Sequence, residues 1–203
     1  METHPTKRLL LIGFGNMGKA LISPLIPQPN QHEGPRFELT IVSPNTKPDF
    51  KCEYFNSVSA LEGHSPFDII LLCCKPFHVR EVMKQIPVCV TSEETLLVSI
   101  LGGIEMPTLN ECGSHLKGTI TRMMPNLGVQ VRKGIMVVLD ATVTGSSTLT
   151  TKLAFLEHLG TLLYARDQRE FDALSIVSGC GTGYVSGLIS SFAKAWQKLD
   201  GRS

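Results

Sequence analysis

Gly13-Phe14-Gly15-Asn16-Met17-Gly18 reads GxGxxG, a spacing with a definite chemistry behind it. The first glycine permits a tight turn, the second lets the backbone approach a pyrophosphate, and the third lets strand and helix pack closely. Alone the pattern is weak, but here it follows an apolar strand-like run, Arg8–Ile12, and opens a helix-like stretch, Asn16–Ile26. Free N–H groups at such a helix start face the negative charge of a phosphate. The plainer alternative, a glycine turn with no ligand, is the less favoured reading.

Which dinucleotide fits depends on the end of the second strand, where an NAD site usually places an acid to hold the ribose 2′-hydroxyl. This chain has Ser43-Pro44-Asn45-Thr46-Lys47 there, with no acid until Asp49. The donors of Ser43 and Asn45, with a cation nearby, suit a 2′-phosphate, so NADP (NADPH) is the expected cofactor and NAD the less likely one. Six cysteines (Cys52, Cys73, Cys74, Cys89, Cys112 and Cys180) make no CxxC pair, so no metal or disulfide is expected and they read as reduced residues. Cys180 stands out because a thiol near a helix start can have a lowered pKa. No His or Cys constellation suggests nucleophilic catalysis.

The elements that must position these residues alternate. Strand candidates are Arg8–Ile12, Glu38–Val42, Asp68–Cys73, Thr95–Ile100, Thr119–Met123, Ile135–Leu139 and a short one at Leu162–Ala165. Helical patterns fall at His78–Gln85 and Met106–Cys112, and helices take over at Ser147–Leu159, Glu170–Ser178 and Thr182–Leu199. Strands apolar on both faces and separated by helices argue for a parallel sheet covered on both sides. The expected fold is therefore α/β: a Rossmann-type, doubly wound, mostly parallel sheet over residues 1–166, with an all-helical unit starting at 167–203. Gln28–Pro35, rich in Pro, Gln and Asn, is expected to be a long, mobile loop.

Composition bounds the rest. At 203 residues, 42% hydrophobic and 18% charged, the chain can bury a sizeable core. A formal net charge of +1 without a basic run predicts no nucleic-acid partner. No apolar run reaches the roughly 18 residues of a spanning helix, and no secretion signal is visible, so no membrane partner and a cytoplasmic location are expected. In the last helix Tyr184, Leu188, Phe192 and Trp196 recur every fourth residue, with Val185 and Ile189 beside them, forming a broad apolar stripe that needs a partner surface.

Five segments, in order, resemble the pyrroline-5-carboxylate reductases: IGFGNMGKAL, LLCCKPFHV, VSILGGI, RMMPNLGVQVRKG and FDALSIVSGCGTGYVSGLI. The resemblance implies hydride transfer from NADPH to the imine carbon of 1-pyrroline-5-carboxylate, giving proline. It implies that Ile12, Gly13, Phe14, Gly15, Asn16 and Met17, with Gly18, hold the pyrophosphate and that Asn56 meets the adenosine end. Cys73, Cys74, Lys75 and Pro76, with Ile100, Leu101 and Gly102, would line the ribose and nicotinamide path, and Pro125 and Asn126 would flank the nicotinamide. By residues alone, Lys75 could be a solvated strand-end lysine and Asn56 a turn former.

The chain departs from the family pattern in several places. Gln168 stands where an acid is usual, four positions before Asp172, and Leu127-Gly128 replaces a Thr-Pro pair. The family's rigid helix-start proline is Thr182, expected to cap the helix by its side chain. Gln168, Gly179 and Cys180 occupy the positions matched to the substrate side. The family's later helices, which build an intertwined dimer and a substrate loop, are not seen, so the helical domain is expected to be truncated and a homo-oligomer to form only where it is completed. Three functions stay open: the small-molecule imine reductase, a cofactor-binding paralogue without turnover, and a related imine or carbonyl reductase.

Overall fold

The computed structural model describes residues 7–26, 37–140 and 147–200. Its strands are β1 (Lys7–Ile12), β2 (Phe37–Val42), β3 (Glu53–Phe55), β4 (Ile69–Leu72), β5 (Leu96–Ser99), β6 (Thr119–Pro125), β7 (Gly134–Leu139) and β8 (Gly160–Ala165). They form one sheet in the order β3-β2-β1-β4-β5-β6-β7-β8. Every neighbouring pair runs parallel except β6 and β7. The order reverses after β3, because β1 lies between β2 and β4, which is where a doubly wound sheet opens a crevice.

The sequence explains both faces. Leu9 and Leu11 of β1 enter one core with Ile69, Leu71, Leu96 and Val98. Their neighbours Leu10 and Ile12 enter a second core with Ile70, Leu72 and Leu97. Alternation by two along each strand feeds both layers, so the strands read as continuous apolar runs. Helix α1 (Asn16–Ile22) covers the first face through Leu21 and Ile22. Helices α2 (Val79–Lys84) and α3 (Met106–Cys112) cover the second through Val79, Met83 and Leu109. Burying one such leucine or isoleucine is worth about 1.5–3 kcal/mol, and these side chains are nearly or wholly closed to solvent.

Five expectations need amendment. The strand β3 was not anticipated: at three residues, Glu-Tyr-Phe, it is too short to show periodicity. Two helices are cut shorter than their patterns, with α1 tightening into a 3₁₀ turn at Ser23–Leu25 and α4 (Ser147–Leu153) into one at Ala154–Leu159. Helix α5 (Gln168–Ser175) starts two residues earlier than expected, because Asp167 accepts from the Glu170 N–H at 2.8 Å and caps it.

The largest change is at Thr182. Helix α6 (Gly181–Leu199) does not begin there but continues from α5 through a π-turn at Ile176–Cys180. Cys180 is itself helical (φ −76°, ψ −33°), so no extended capping position exists. The Thr182 hydroxyl instead donates back to the Gly179 carbonyl at 2.9 Å. The resulting run, Gln168–Leu199, contains an 18-residue window of mean hydropathy 1.2 and is long and apolar enough to cross a bilayer by length and composition. The polar side of α6 carries mostly Gly, Ser and Ala rather than charge, which is why its mean is high. The expected loop Gln28–Pro35 lies outside the described residues.

Candidate nucleotide-binding site

Where β1 ends, the chain turns at Gly13 with φ +104°, a conformation that favours glycine. The turn is held from both sides: Gly13 N–H donates to the Val42 carbonyl at 2.8 Å, and Cys73 N–H donates to Ile12 at 2.7 Å. A Cβ on Gly13 would stand 2.5 Å from the Cys73 carbonyl oxygen, whereas one on Gly15 would meet nothing within 4 Å. Gly18 lies hard against the Gly13 carbonyl, the close strand–helix approach expected of the third glycine. The first turn of α1 carries no acid and no side-chain cap, so its leading N–H groups stay available. Phe14 points inward, 3% exposed and edge-on to Phe50, so it offers only main chain to a ligand.

A cleft of about 560 Å³ opens over this turn. It is lined by Ile12–Gly15, Ser43, Asn45, Thr46, Asn56, Cys73, Cys74 and Lys75, which brings ten of the expected cofactor residues together. The missed strand β3 secures Ser43: Ser43 N–H donates to the Phe55 carbonyl at 3.0 Å, and the Tyr54 hydroxyl donates to the Ser43 carbonyl at 2.6 Å. Sequence reasoning also missed the facing wall, His78, Glu81, Val82 and Gln85. Their i, i+3, i+4, i+7 spacing, opposite buried Val79 and Met83, was the available signal. His78 and Glu81 stand 3.9 Å apart across one turn, and the Lys75 ammonium lies 5.8 Å from the Phe77 ring centroid.

A smaller cleft of about 170 Å³ adjoins it, lined by Met17, Cys73, Cys74, Pro76, Ile100, Leu101, Gly102, Met124 and Pro125. The two clefts share Cys73 and Cys74, at the carboxyl end of β4. Burial pushes the Cys74 thiol up to about 11 and the Cys73 thiol higher still, so both are neutral near pH 7. They are walls, not nucleophiles. Asn16, on the exposed first turn, and Gly18, packed inside, line neither cleft.

Four other expected residues also lie apart from both clefts. Asn126 is buried, and its side chain is used within the fold: Oδ1 accepts from the N–H groups of Gly128 and Ile135, and Nδ2 donates to the Ser178 carbonyl. Gln168 spans Arg122, which donates to it at 2.9 Å, and Asp172, to which its amide donates at 2.6 Å. Arg122 is itself buried, with its guanidinium 4.5 Å over the Phe171 ring. Burial lowers the Arg122 pKa, opposed by the charges of Asp172 and Glu105. Gly179 and Cys180 sit in the π-turn, Cys180 exposed. Among the described residues no group of three or more His, Cys, Asp or Glu is gathered to hold a metal.

Residues 8–103, which carry the turn and most of both clefts, match the family described as NADP oxidoreductase coenzyme F420-dependent. The pyrroline-5-carboxylate reductase of Aquifex aeolicus is 26% identical over 191 residues, covering 94% of this chain and 69% of that one. That of Haemophilus influenzae is 26% identical over 201 residues, covering 96% and 70%. The crystal structure of the Plasmodium falciparum pyrroline carboxylate reductase with NADP bound superposes with a TM-score of 0.74 at 25% identity, over 95% of this chain and 70% of that one. The chain is similar to pyrroline-5-carboxylate reductases in sequence and in fold. It spans about seven-tenths of the length of these relatives. Within the segment expected on the substrate side, Gln168 and the Ser178 carbonyl are engaged in internal hydrogen bonds, while Cys180 is exposed.

Proposed function

We propose that the chain binds NADPH and reduces the imine bond of 1-pyrroline-5-carboxylate to give L-proline. The observation that carries this reading is the pair of clefts meeting at Cys73-Cys74 beside the open Gly13–Gly15 turn. An extended dinucleotide needs a large space with polar side chains at one end, a bare backbone at its pyrophosphate and a smaller apolar space at its far end, and the residues present fit that demand. The main chain of Gly13–Gly15 would hold the pyrophosphate. Ser43, Asn45 and Thr46 would donate to the 2′-phosphate, and Lys75 would lie along the ribose and nicotinamide path. Pro76, Ile100–Gly102 and Pro125 would shape the smaller space and exclude water from it.

When bound, the dihydronicotinamide supplies a hydride to the imine carbon. An iminium nitrogen already draws that hydride, so the chain's own residues need only orient and desolvate, which agrees with neutral thiols and no base in the smaller cleft. The preference for NADPH over NADH rests on the absence of an acid at the end of β2; the cleft's acid, Glu81, lies on the facing helix beside His78. The same reading takes a small imine as partner, a homo-oligomer where further helices complete the helical unit, and a cytoplasmic location, where six free thiols persist.

The test is NADPH oxidation by purified protein with 1-pyrroline-5-carboxylate, with NADPH and NADH binding titrated on the same sample. Imine-dependent turnover is expected, with tighter binding of NADPH. Binding without turnover would leave a cofactor-binding relative, the reading favoured by Gln168 being engaged with Arg122 and Asp172. Replacing Ser43 by Asp should shift preference toward NADH, and an unchanged preference would remove Ser43 from the 2′-phosphate site.

A further inference from the structure

We infer that Asn126 is a positioning residue: it fastens the wall of the smaller cleft to the π-turn and so acts on the nicotinamide end of a bound dinucleotide without touching it. The inference rests on the NADPH reading for its ligand, though not for its geometry. Asn126 follows Met124 and Pro125, both of which line the smaller cleft, yet its own side chain is 6% exposed and turned away from that cleft. Each of its polar groups has an assigned partner. Oδ1 accepts from Gly128 N–H and Ile135 N–H, both at 3.1 Å, while Nδ2 donates to the Ser178 carbonyl at 3.0 Å, 52 residues further along the chain. Two N–H donors on one side and a carbonyl on the other allow only this orientation of the amide.

Ser178 lies within the π-turn, where the wider helical ring disturbs the regular pairing of carbonyl and N–H groups. The Asn126 amide takes up that carbonyl. The π-turn is also where the helical run last packs on the sheet: it contacts β6 and β7, whereas α6 buries none of its residues. Side-chain packing does little to restrain this joint, since Gly179, Gly181 and Gly183 have open space around them. Ser175 and Ser178 keep their hydroxyls buried with no partner among the described residues, which further weakens the joint. Arg122 ties β6 to the start of the helical run through Gln168, and the Asn126–Ser178 hydrogen bond ties the cleft wall to the π-turn itself. The residue at 126 must accept at one end of its side chain and donate at the other, and at this reach only asparagine does both.

Asn126→Asp separates this role from a purely local one. An aspartate keeps both acceptor bonds to Gly128 and Ile135 but, ionised, cannot donate to Ser178, so it unhooks the π-turn and spares the β6–β7 turn. The experiment uses the full chain and titrates NADPH alongside adenosine 2′,5′-bisphosphate, which would occupy the larger cleft alone, while amide hydrogen exchange is followed across 176–181 and 128–135. In the variant, NADPH affinity should fall about tenfold and bisphosphate affinity stay within about twofold. Exchange in 176–181 should accelerate at least about tenfold with 128–135 unchanged. Acidification should restore protection, because a protonated aspartate regains an O–H that can donate to Ser178.

Equal weakening of both ligands, or of neither, overturns the inference, and so does unaltered exchange at the π-turn. If the native chain binds neither ligand, the NADPH reading fails by itself, and the exchange arm with its pH dependence still decides whether Asn126 holds the joint. Should Asn126→Asp not fold, Asn126→Gln moves the same chemistry one methylene outward, and the same split between the two ligands is expected of it.

Discussion

Helices α1 and α6 are built from similar apolar residues and meet opposite fates. Ala20, Leu21 and Ile22 on α1 are 2%, 0% and 0% exposed, whereas Leu188, Ile189 and Phe192 on α6 are 57%, 62% and 69% exposed. The difference does not lie in the helices. It lies in what each sequence neighbourhood supplies: α1 follows a strand that is apolar on both faces and folds back onto it at once, within one strand-helix unit. Helix α6 leaves the sheet through a π-turn and finds no apolar partner among the described residues. Hydrophobic burial is a property of a pair of surfaces, and an amphipathic pattern reports only one of them.

The comparison is sharpest in stability. Leu71, fully buried on β4, should lose about 2–5 kcal/mol on replacement by alanine, through lost transfer free energy and the cavity left behind. Leu188→Ala on α6 should stay within about 0.5 kcal/mol, as for an exposed surface position. Guanidinium denaturation of both variants reads the contrast directly. A cost at Leu188 comparable to that at Leu71 would mean the stripe is covered in solution, and the unfolding midpoint should then depend on protein concentration.

Glycines give the next largest contrast, with opposite signs. Gly13→Ala forces a Cβ against the Cys73 carbonyl at φ +104°, so it should destabilise by more than about 1 kcal/mol and weaken NADPH binding at least tenfold. Gly183→Ala, in helical backbone with nothing within 4 Å, should stabilise by about 0.4–1 kcal/mol. Thermal denaturation of the two variants, with a cofactor titration on Gly13→Ala, checks both signs. A neutral Gly13→Ala would undo the account of the turn.

This asymmetry also marks what could be read from the residues alone. Continuous apolar runs such as Leu9–Ile12 and Ile69–Leu72 specify both faces of the sheet, so seven strands and the doubly wound order of layers were legible. The Gly13 turn was legible because strand, glycines and helix are contiguous. Three residues of β3 carry no periodicity, so the strand that secures Ser43 was not legible. The wall made by His78, Glu81 and Gln85 was encoded in helical spacing but needed the cleft to give it meaning. Asn126 and Gln168 line neither cleft for one reason: a motif match fixes a residue's place in the chain but not the direction of its side chain. Long-range partners, Ser178 for one and Arg122 for the other, set that direction.

Thiol chemistry compares the cleft floor with the helical joint at a smaller scale. Cys74, raised to about 11 by burial, is almost wholly protonated at pH 8, and Cys73 is pushed higher. Cys89 and Cys180 are exposed. Iodoacetamide at pH 8, followed by peptide mass spectrometry, should label Cys89 and Cys180 before Cys73 and Cys74, and labelling of Cys74 should rise steeply as pH approaches 11. Cofactor added beforehand should slow Cys74 further, since it lines both clefts. Early labelling of Cys74 at pH 8 would contradict its place beneath the clefts.

The smallest effect belongs to the boundary between the two regions, where β8 gives way to α5. Arg166 donates to Glu170 through its main-chain N–H at 2.8 Å and its guanidinium at 3.0 and 3.3 Å, and these hydrogen bonds hold the Glu170 carboxyl below its ordinary value of 4.5. A carboxyl depressed in the folded state stabilises above its unfolded pKa and loses that contribution as pH falls through the folded one. The pair's benefit is therefore fully present near pH 7 and disappears only in acid, below about 4.5. Because the Arg166 side chain is 86% exposed, water and salt screen most of the attraction. Titration of the Glu170 carboxyl by NMR should show a midpoint below 4.5 that moves upward in Arg166→Ala and only part-way toward 4.5 in high salt, since the main-chain N–H still donates. A Glu170 midpoint unmoved by Arg166→Ala would leave the first turn of α5 held by its Asp167 cap alone.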